Sequence, residues 1–221
     1  MKTINLIVPA AGNSTRFESS IPKQFHIVNG KTILEHSLLA FSDITLESCI
    51  IATSKESIEK VKDIVAKIPF SVKVVLGGKT RAESVREAFF ATKQADITLI
   101  HDAARLCVSK QLINQIVQAC HEYDAVIPAI PVTDTIKKVE KDRVIQTLSR
   151  SDLVAVQTPQ GFTSNVLRKA YEACFSDTIT DEASLIEHAG IPVHIIKGET
   201  HNIKVTNPID LEYVRRYLSN N

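Results

Sequence analysis

The sequence predicts an α/β fold: a mostly parallel sheet with helices on both faces and a projecting β-hairpin arm. Three observations carry that expectation. Short runs rich in Val and Ile recur along the chain, stretches with helical spacing alternate with them, and one segment breaks the rhythm with a polar–apolar repeat.

The apolar runs are residues 4–8, 49–52, 72–76, 97–100, 125–130 and 193–196. They are too continuously apolar for one wet face, so they read as strands buried on both sides. Helical spacing fills 32–41, 55–68, 80–92, 110–123, 165–175, 180–189 and 208–218. Strands joined by helical crossovers lie parallel, giving a Rossmann-like layered arrangement. Two helix starts carry their own chemistry: Thr80 to Glu83 spells a capping box, and Asn207-Pro208 an N-cap followed by proline in the first turn. In residues 131–157 two alternating stretches, from Thr135 to Val139 and from Arg143 to Leu148, flank the charged turn Glu140-Lys141-Asp142, which predicts a β-hairpin insertion. The pattern leaves open whether this arm lies on its own domain or against another subunit. No repeat or low-complexity linker interrupts the chain, so residues 1–221 read as one domain.

Composition narrows the function. The 26 basic residues nearly balance the 25 acidic ones, so no global field draws the protein to nucleic acid or to a membrane, and any anion site must be local. The four cysteines form no CxxC pair, which argues against a zinc ribbon or a redox dithiol and for buried free thiols. The apolar run at the start is broken by Pro9 and is too short for a signal peptide or a membrane span, so a cytoplasmic protein is expected.

Three clusters look chemical. The first strand runs into Ala10-Ala11-Gly12, with Arg16 and then Lys23 close behind; small residues beyond a strand's carboxyl end let backbone N–H groups approach a phosphate. A second small-residue loop, Gly77-Gly78, precedes Lys79, Arg81 and Ser84. A third, His101-Asp102-Ala103-Ala104-Arg105, ends the 97–100 strand: Asp102 suits a magnesium ion or a ribose hydroxyl, and Arg105 a phosphate, unless the two pair with each other. Read singly, the first cluster is equally well explained as an ordinary strand-to-helix turn with Arg16 and Lys23 on the surface. Neither glycine loop has the spacing of a Walker loop or of a GxGxxG fingerprint, which weakens a P-loop reading and an NAD-dependent oxidoreductase alike.

Together with Pro22-Lys23-Gln24, the stretch from Pro131 to Lys137, Gln157 to Gln160, Thr180 to Ser184 and Asn202 to Thr206, these clusters closely resemble the 2-C-methyl-D-erythritol 4-phosphate cytidylyltransferase family. The resemblance implies that CTP lies along residues 10–16, its base near Gly77, Gly78 and Ser84 and its ribose and metal side near Asp102. It implies that the sugar phosphate meets Asp102, Arg105, Thr180 and Lys204. It also implies a homodimer in which the arm carries Thr135 and Arg150 over the neighbouring site. Two positions depart from the family pattern: Ser14 replaces a glycine and Leu106 a proline. A related family acting on ribitol 5-phosphate shares several elements, but the stretch from Thr180 to Ser184 and Ala103 favour the methylerythritol enzyme. A non-catalytic nucleotide-binding protein is the alternative from another class, and the many charged site residues argue against it.

The implied chemistry is attack by a phosphate oxygen on the α-phosphorus of CTP, with pyrophosphate leaving. Both reactants are anions, so magnesium, Arg16, Lys23 and Lys204 are expected to offset their repulsion and stabilise the transition state. A phosphate monoester is largely ionised at neutral pH. No general base is needed, and none of the seven histidines requires a catalytic role.

Overall fold

The computed structural model describes residues 2–12, 17, 21–176 and 178–220. In chain order the strands are β1 (Ile4–Pro9), β2 (Ile27–Val28), β3 (Lys31–Thr32), β4 (Ser48–Thr53), β5 (Lys73–Leu76), β6 (Ile97–Ile100), β7 (Ala125–Pro131), β8 (Lys137–Glu140), β9 (Arg143–Thr147), β10 (Val154–Val156), β11 (Gln160–Thr163) and β12 (His194–Lys197). The helices are α1 (Ile33–Leu39), α2 (Ile58–Val65), α3 (Arg81–Phe90), α4 (Lys110–Ala119), α5 (Ser164–Cys174), α6 (Glu182–His188) and α7 (Pro208–Ser219).

Among the described residues the main sheet has eight strands. Strands β5, β4, β1 and β6 run parallel, β11 lies antiparallel between β6 and β7, and β7 pairs also with β12 in parallel and with β10 in antiparallel. The pleat of β1 shows why helices cover both faces. Leu6 and Val8 join one core cluster with residues of α1, α2 and α4, while Ile7 joins another with α3, α5 and α6. Each fully buried aliphatic side chain contributes about 1.5–3 kcal/mol, so both faces hold the sheet. A third cluster, in which α7 packs Val214 against Ala104, Leu106 and Val205, closes the carboxyl end. Leu106 is buried there, so the position where the family has proline is anchored by packing.

The six expected strands and seven expected helices are present, most with shifted ends. The run from residue 55 begins as a 3-10 turn, Lys55–Ser57, before α2. Helix α6 starts two residues later than expected because Asp181 caps it, accepting from Ser184 N at 3.0 Å. The expected capping box at Thr80 with Glu83 forms, and the expected N-cap Asn207 forms a second one with Asp210. Strand β11 escapes the sequence pattern because Gly161 stands where an apolar side chain would be expected: a Cβ there would lie 2.6 Å from Ile116 Cγ2 on α4. In the arm only β8 and β9 form the free hairpin, with Val139, Val144 and Ile145 exposed. Pro131 belongs to β7, and β10 pairs back onto it, so the arm's base continues the sheet. All four cysteines are free. Among the described residues no helix is long and apolar enough to cross a membrane.

Candidate active site

A cleft of about 320 Å³ opens beyond the carboxyl ends of β1 and β6, where the sheet's ligand crevice is expected. Ala10, Ala11 and Gly12 form one wall, continuing β1 through a bond from Ala10 N to Ala52 O at 2.7 Å. Gln24 steadies that wall, donating from Nε2 to Ala10 O at 3.0 Å. The facing wall is Gly78 and the start of α3. Gly77 lies just behind it: a Cβ there would sit 2.7 Å from Ser84 Oγ and 2.9 Å from the Ala11 side chain, so glycine permits the two loops to approach. Ser84 also faces the cleft, its hydroxyl donating to Thr80 O at 2.8 Å.

Lys23 rises from a 3-10 turn set by Pro22 and donates from Nζ to Val205 O at 3.1 Å, which ties it to the segment bearing Lys204. Opposite, Asp102 stands at the end of β6 with Lys204 Nζ 2.7 Å from Oδ2 and Arg81 Nε 3.3 Å from Oδ1. Burial alone would raise the Asp102 pKa, but Arg81 and then Lys204 outweigh it and hold the carboxyl well below the usual carboxylate range. Arg81 reaches further: its Nη1 donates to both oxygens of Glu182, at 3.2 and 3.0 Å, and toward Thr180 O at 3.5 Å. Glu182 is 1% exposed; burial pushes its pKa up, and Arg81 pulls it back. Two cations and two carboxylates thus interlock at one end of the cleft.

A neutral histidine supports this corner. His101 is fully buried; Nε2–H donates to Arg105 O at 3.0 Å, and Nδ1 accepts from the Thr158 hydroxyl at 3.1 Å, while that hydroxyl accepts from Asp102 N at 3.0 Å. Burial lowers its pKa to about 4. The Asn202 amide donates to Thr158 O at 2.9 Å, and Gln157 donates to Asn202 O at 3.3 Å and Glu199 O at 2.7 Å. The segments around residues 101, 157 and 202 are therefore one hydrogen-bonded cradle behind Asp102 and Lys204.

Of the residues singled out from the sequence, Ala10, Ala11, Gly12, Lys23, Gly78, Ser84, Asp102 and Lys204 line the cleft. Arg16 and Ser14 lie outside the described residues. Arg105 does not line the cleft; its guanidinium donates to Asn202 O at 2.7 Å and Val156 O at 3.2 Å. Thr180 is exposed at the edge, its carbonyl toward Arg81. Thr135 and Arg150 belong to the arm, where Arg150 donates to Thr133 O at 2.7 Å, and neither lines this chain's own cleft. The sequence reading assigned no role to Arg81 or Glu182. Both stand inside the matched motifs, but nothing local announces that residues 101 positions apart form a buried ion pair.

The model of the 2-C-methyl-D-erythritol 4-phosphate cytidylyltransferase family matches residues 4–220. The chain belongs to that family. It is 39% identical over 220 residues to 2-C-methyl-D-erythritol 4-phosphate cytidylyltransferase of Bacillus cereus (strain ATCC 10987), covering 96% of each. It is 35% identical to the enzyme of the same name from Syntrophus aciditrophicus, covering 96% of this chain and 94% of that one. Its fold superposes on the crystal structure of 4-diphosphocytidyl-2C-methyl-D-erythritol synthase from Anaerococcus prevotii with a TM-score of 0.84 at 30% identity, over 99% of each chain. The family is one of cytidylyltransferase enzymes, which leaves the oxidoreductase alternative without support.

Proposed function

We propose that this chain transfers the cytidylyl group of CTP to 2-C-methyl-D-erythritol 4-phosphate, giving 4-diphosphocytidyl-2-C-methyl-D-erythritol and pyrophosphate in isoprenoid precursor synthesis. The observation that carries the reading is the convergence of Lys23, Lys204 and Arg81 on a cleft walled by small-residue backbone at 10–12 and 78. Backbone N–H groups and cations suit a triphosphate, and both reactants need positive charge before they approach.

In this reading Lys23, with Arg16 from the sequence motif, neutralises the triphosphate and the equatorial oxygens of the transition state. Lys204 exchanges its contact with Asp102 for the acceptor phosphate, and Asp102 accepts from the acceptor's hydroxyls. Arg105 acts through the cradle and through the long-range field of its charge. The attacking phosphate is already ionised, which agrees with a His101 held neutral and out of the cleft.

Asp102 fits a magnesium ion: it is an ionised hard oxygen ligand at the cleft wall. Among the described residues no group of three His, Cys, Asp or Glu is placed to cage a metal, so phosphate oxygens would complete the coordination. Bound there, magnesium would neutralise phosphate charge and favour departure of pyrophosphate. The exposed apolar side chains of the arm, Val139, Val144 and Ile145, support a homodimer in which Thr135 and Arg150 reach the partner's site. We read residues 1–221 as one nucleotidyltransferase domain working in the cytoplasm.

The test is to incubate the protein with CTP, magnesium and a panel of sugar-alcohol phosphates and to measure pyrophosphate. Release with methylerythritol phosphate well above that with ribitol 5-phosphate is expected. The reverse preference, or no release with either, overturns the reading.

A further inference from the structure

We propose that Glu182 is a positioning residue for the acceptor half of the site, acting through Arg81; the inference rests on the cytidylyltransferase reading. Glu182 does not line the cleft, yet it is a carboxylate only 1% exposed, a placement that is costly without a partner. Its partner is Arg81, which does line the cleft and whose Nη1 meets both Glu182 oxygens at 3.2 and 3.0 Å. The same guanidinium touches Asp102 Oδ1 at 3.3 Å and Thr180 O at 3.5 Å. One planar cation therefore joins the start of α3, the end of β6 and the loop before α6, and Glu182 makes its shortest contact.

The division of charge gives the arrangement its consequence. Asp102 is shared between Arg81 and Lys204, the latter at 2.7 Å. With Glu182 charged, Arg81 is balanced from behind and leaves Asp102 oriented but not captured. With Glu182 neutral, Arg81 has Asp102 as its remaining carboxylate, turns toward it and lets go of the Thr180 carbonyl. Thr180 belongs to the acceptor's side, and Asp102 meets the acceptor's hydroxyls while also facing the ribose and metal side of the nucleotide. The nucleotide wall at residues 10–12 rests instead on Gln24 and the β4 backbone.

The experiment is steady-state kinetics with each substrate varied, on wild type, Glu182→Gln, Arg81→Met, Arg81→Met/Glu182→Gln and Arg81→Met/Glu182→Leu, with thermal midpoints measured in parallel. Glu182→Gln is expected to raise the acceptor KM about tenfold, the size of one charge-assisted hydrogen bond, and the CTP KM by a clearly smaller factor, because the wall at residues 10–12 does not rest on Arg81. Adding Glu182→Gln to Arg81→Met is expected to leave the acceptor KM where Arg81→Met put it. Arg81→Met/Glu182→Leu removes both buried charges and is expected to regain thermal stability over Arg81→Met without regaining the acceptor KM. A merely structural role predicts the opposite, with KM recovering as the midpoint recovers, and that result overturns the proposal. So does an unshifted acceptor KM in Glu182→Gln, or equal shifts for both substrates. Absence of turnover in wild type would overturn the cytidylyltransferase reading and this role with it; wild-type turnover with an unshifted acceptor KM overturns the role of Glu182 alone.

Discussion

Lowering the pH from 7 to 4 is expected to remove about 3 kcal/mol of folding stability through one side chain, His101. In the fold its ring is fully buried, edge-on to Phe41 at 5.2 Å, with Nδ1 committed to accepting from Thr158. A proton on Nδ1 would break that bond and place a cation in the core, so burial lowers the pKa from 6.5 to about 4; Asp102 opposes the change, and the Arg105 charge adds to it. The unfolded chain takes up its proton near 6.5, the folded one only near 4. Between these values the unfolded state binds more protons, so stability is fully present above 6.5 and falls as the pH falls toward 4. At about 1.4 kcal/mol for each tenfold change in proton affinity, the loss is about 3 kcal/mol. Glu182 works the other way: its pKa is raised, so just above 4.5 the folded state binds the extra proton and regains part of the loss. A comparison with His101→Gln, which keeps an N–H donor for Arg105 O, isolates the histidine. Urea unfolding at pH 7, 6, 5 and 4 should show wild type losing about 3 kcal/mol relative to the variant. Parallel stability curves for the two proteins would refute the reasoning. In the folded protein the ring stays neutral until the pH nears 4, so the loop carrying Asp102 should keep its hydrogen bonds across this interval.

Lys23→Met is expected to lower kcat about a hundredfold or more with a near-normal thermal midpoint, the size of losing one oriented transition-state donor; Lys204→Met should do the same and also raise the acceptor KM. Quenched pyrophosphate assays on folded protein check both. Chelation with EDTA should abolish turnover and added magnesium restore it, while the thermal midpoint stays unchanged, because Asp102 is already paired with Arg81 and Lys204 in the fold. If the proposed homodimer forms through the arm, replacing the exposed Val144 and Ile145 by serine should shift the protein toward monomer in light scattering and lower turnover, because in that proposal Thr135 and Arg150 serve the neighbouring site.

Local patterns made much of this protein legible. The continuous apolar runs announced the parallel strands, because a strand covered on both faces has no polar side to show. Helix starts at Thr80 and Asn207 were readable because a capping box, or an N-cap followed by proline, involves only a few consecutive residues. The small-residue loops and most cleft residues were readable because the crevice of such a sheet lies beyond the strand ends. Strand β11 was not, since Gly161 is explained only by the closeness of α4.

What the sequence determined by itself is the layered α/β architecture, the family and the roster of charged residues near strand ends, all of which follow from short-range periodicity and motif order. What only the tertiary structure decided is how those charges are partnered: Arg81 with Glu182, Lys204 with Asp102, and His101 with Thr158 and the Arg105 carbonyl. The reason is physical. Whether a buried charge is paired, neutral or available to a substrate depends on burial and on angstrom distances between remote segments, and neither is encoded in any short stretch of chain.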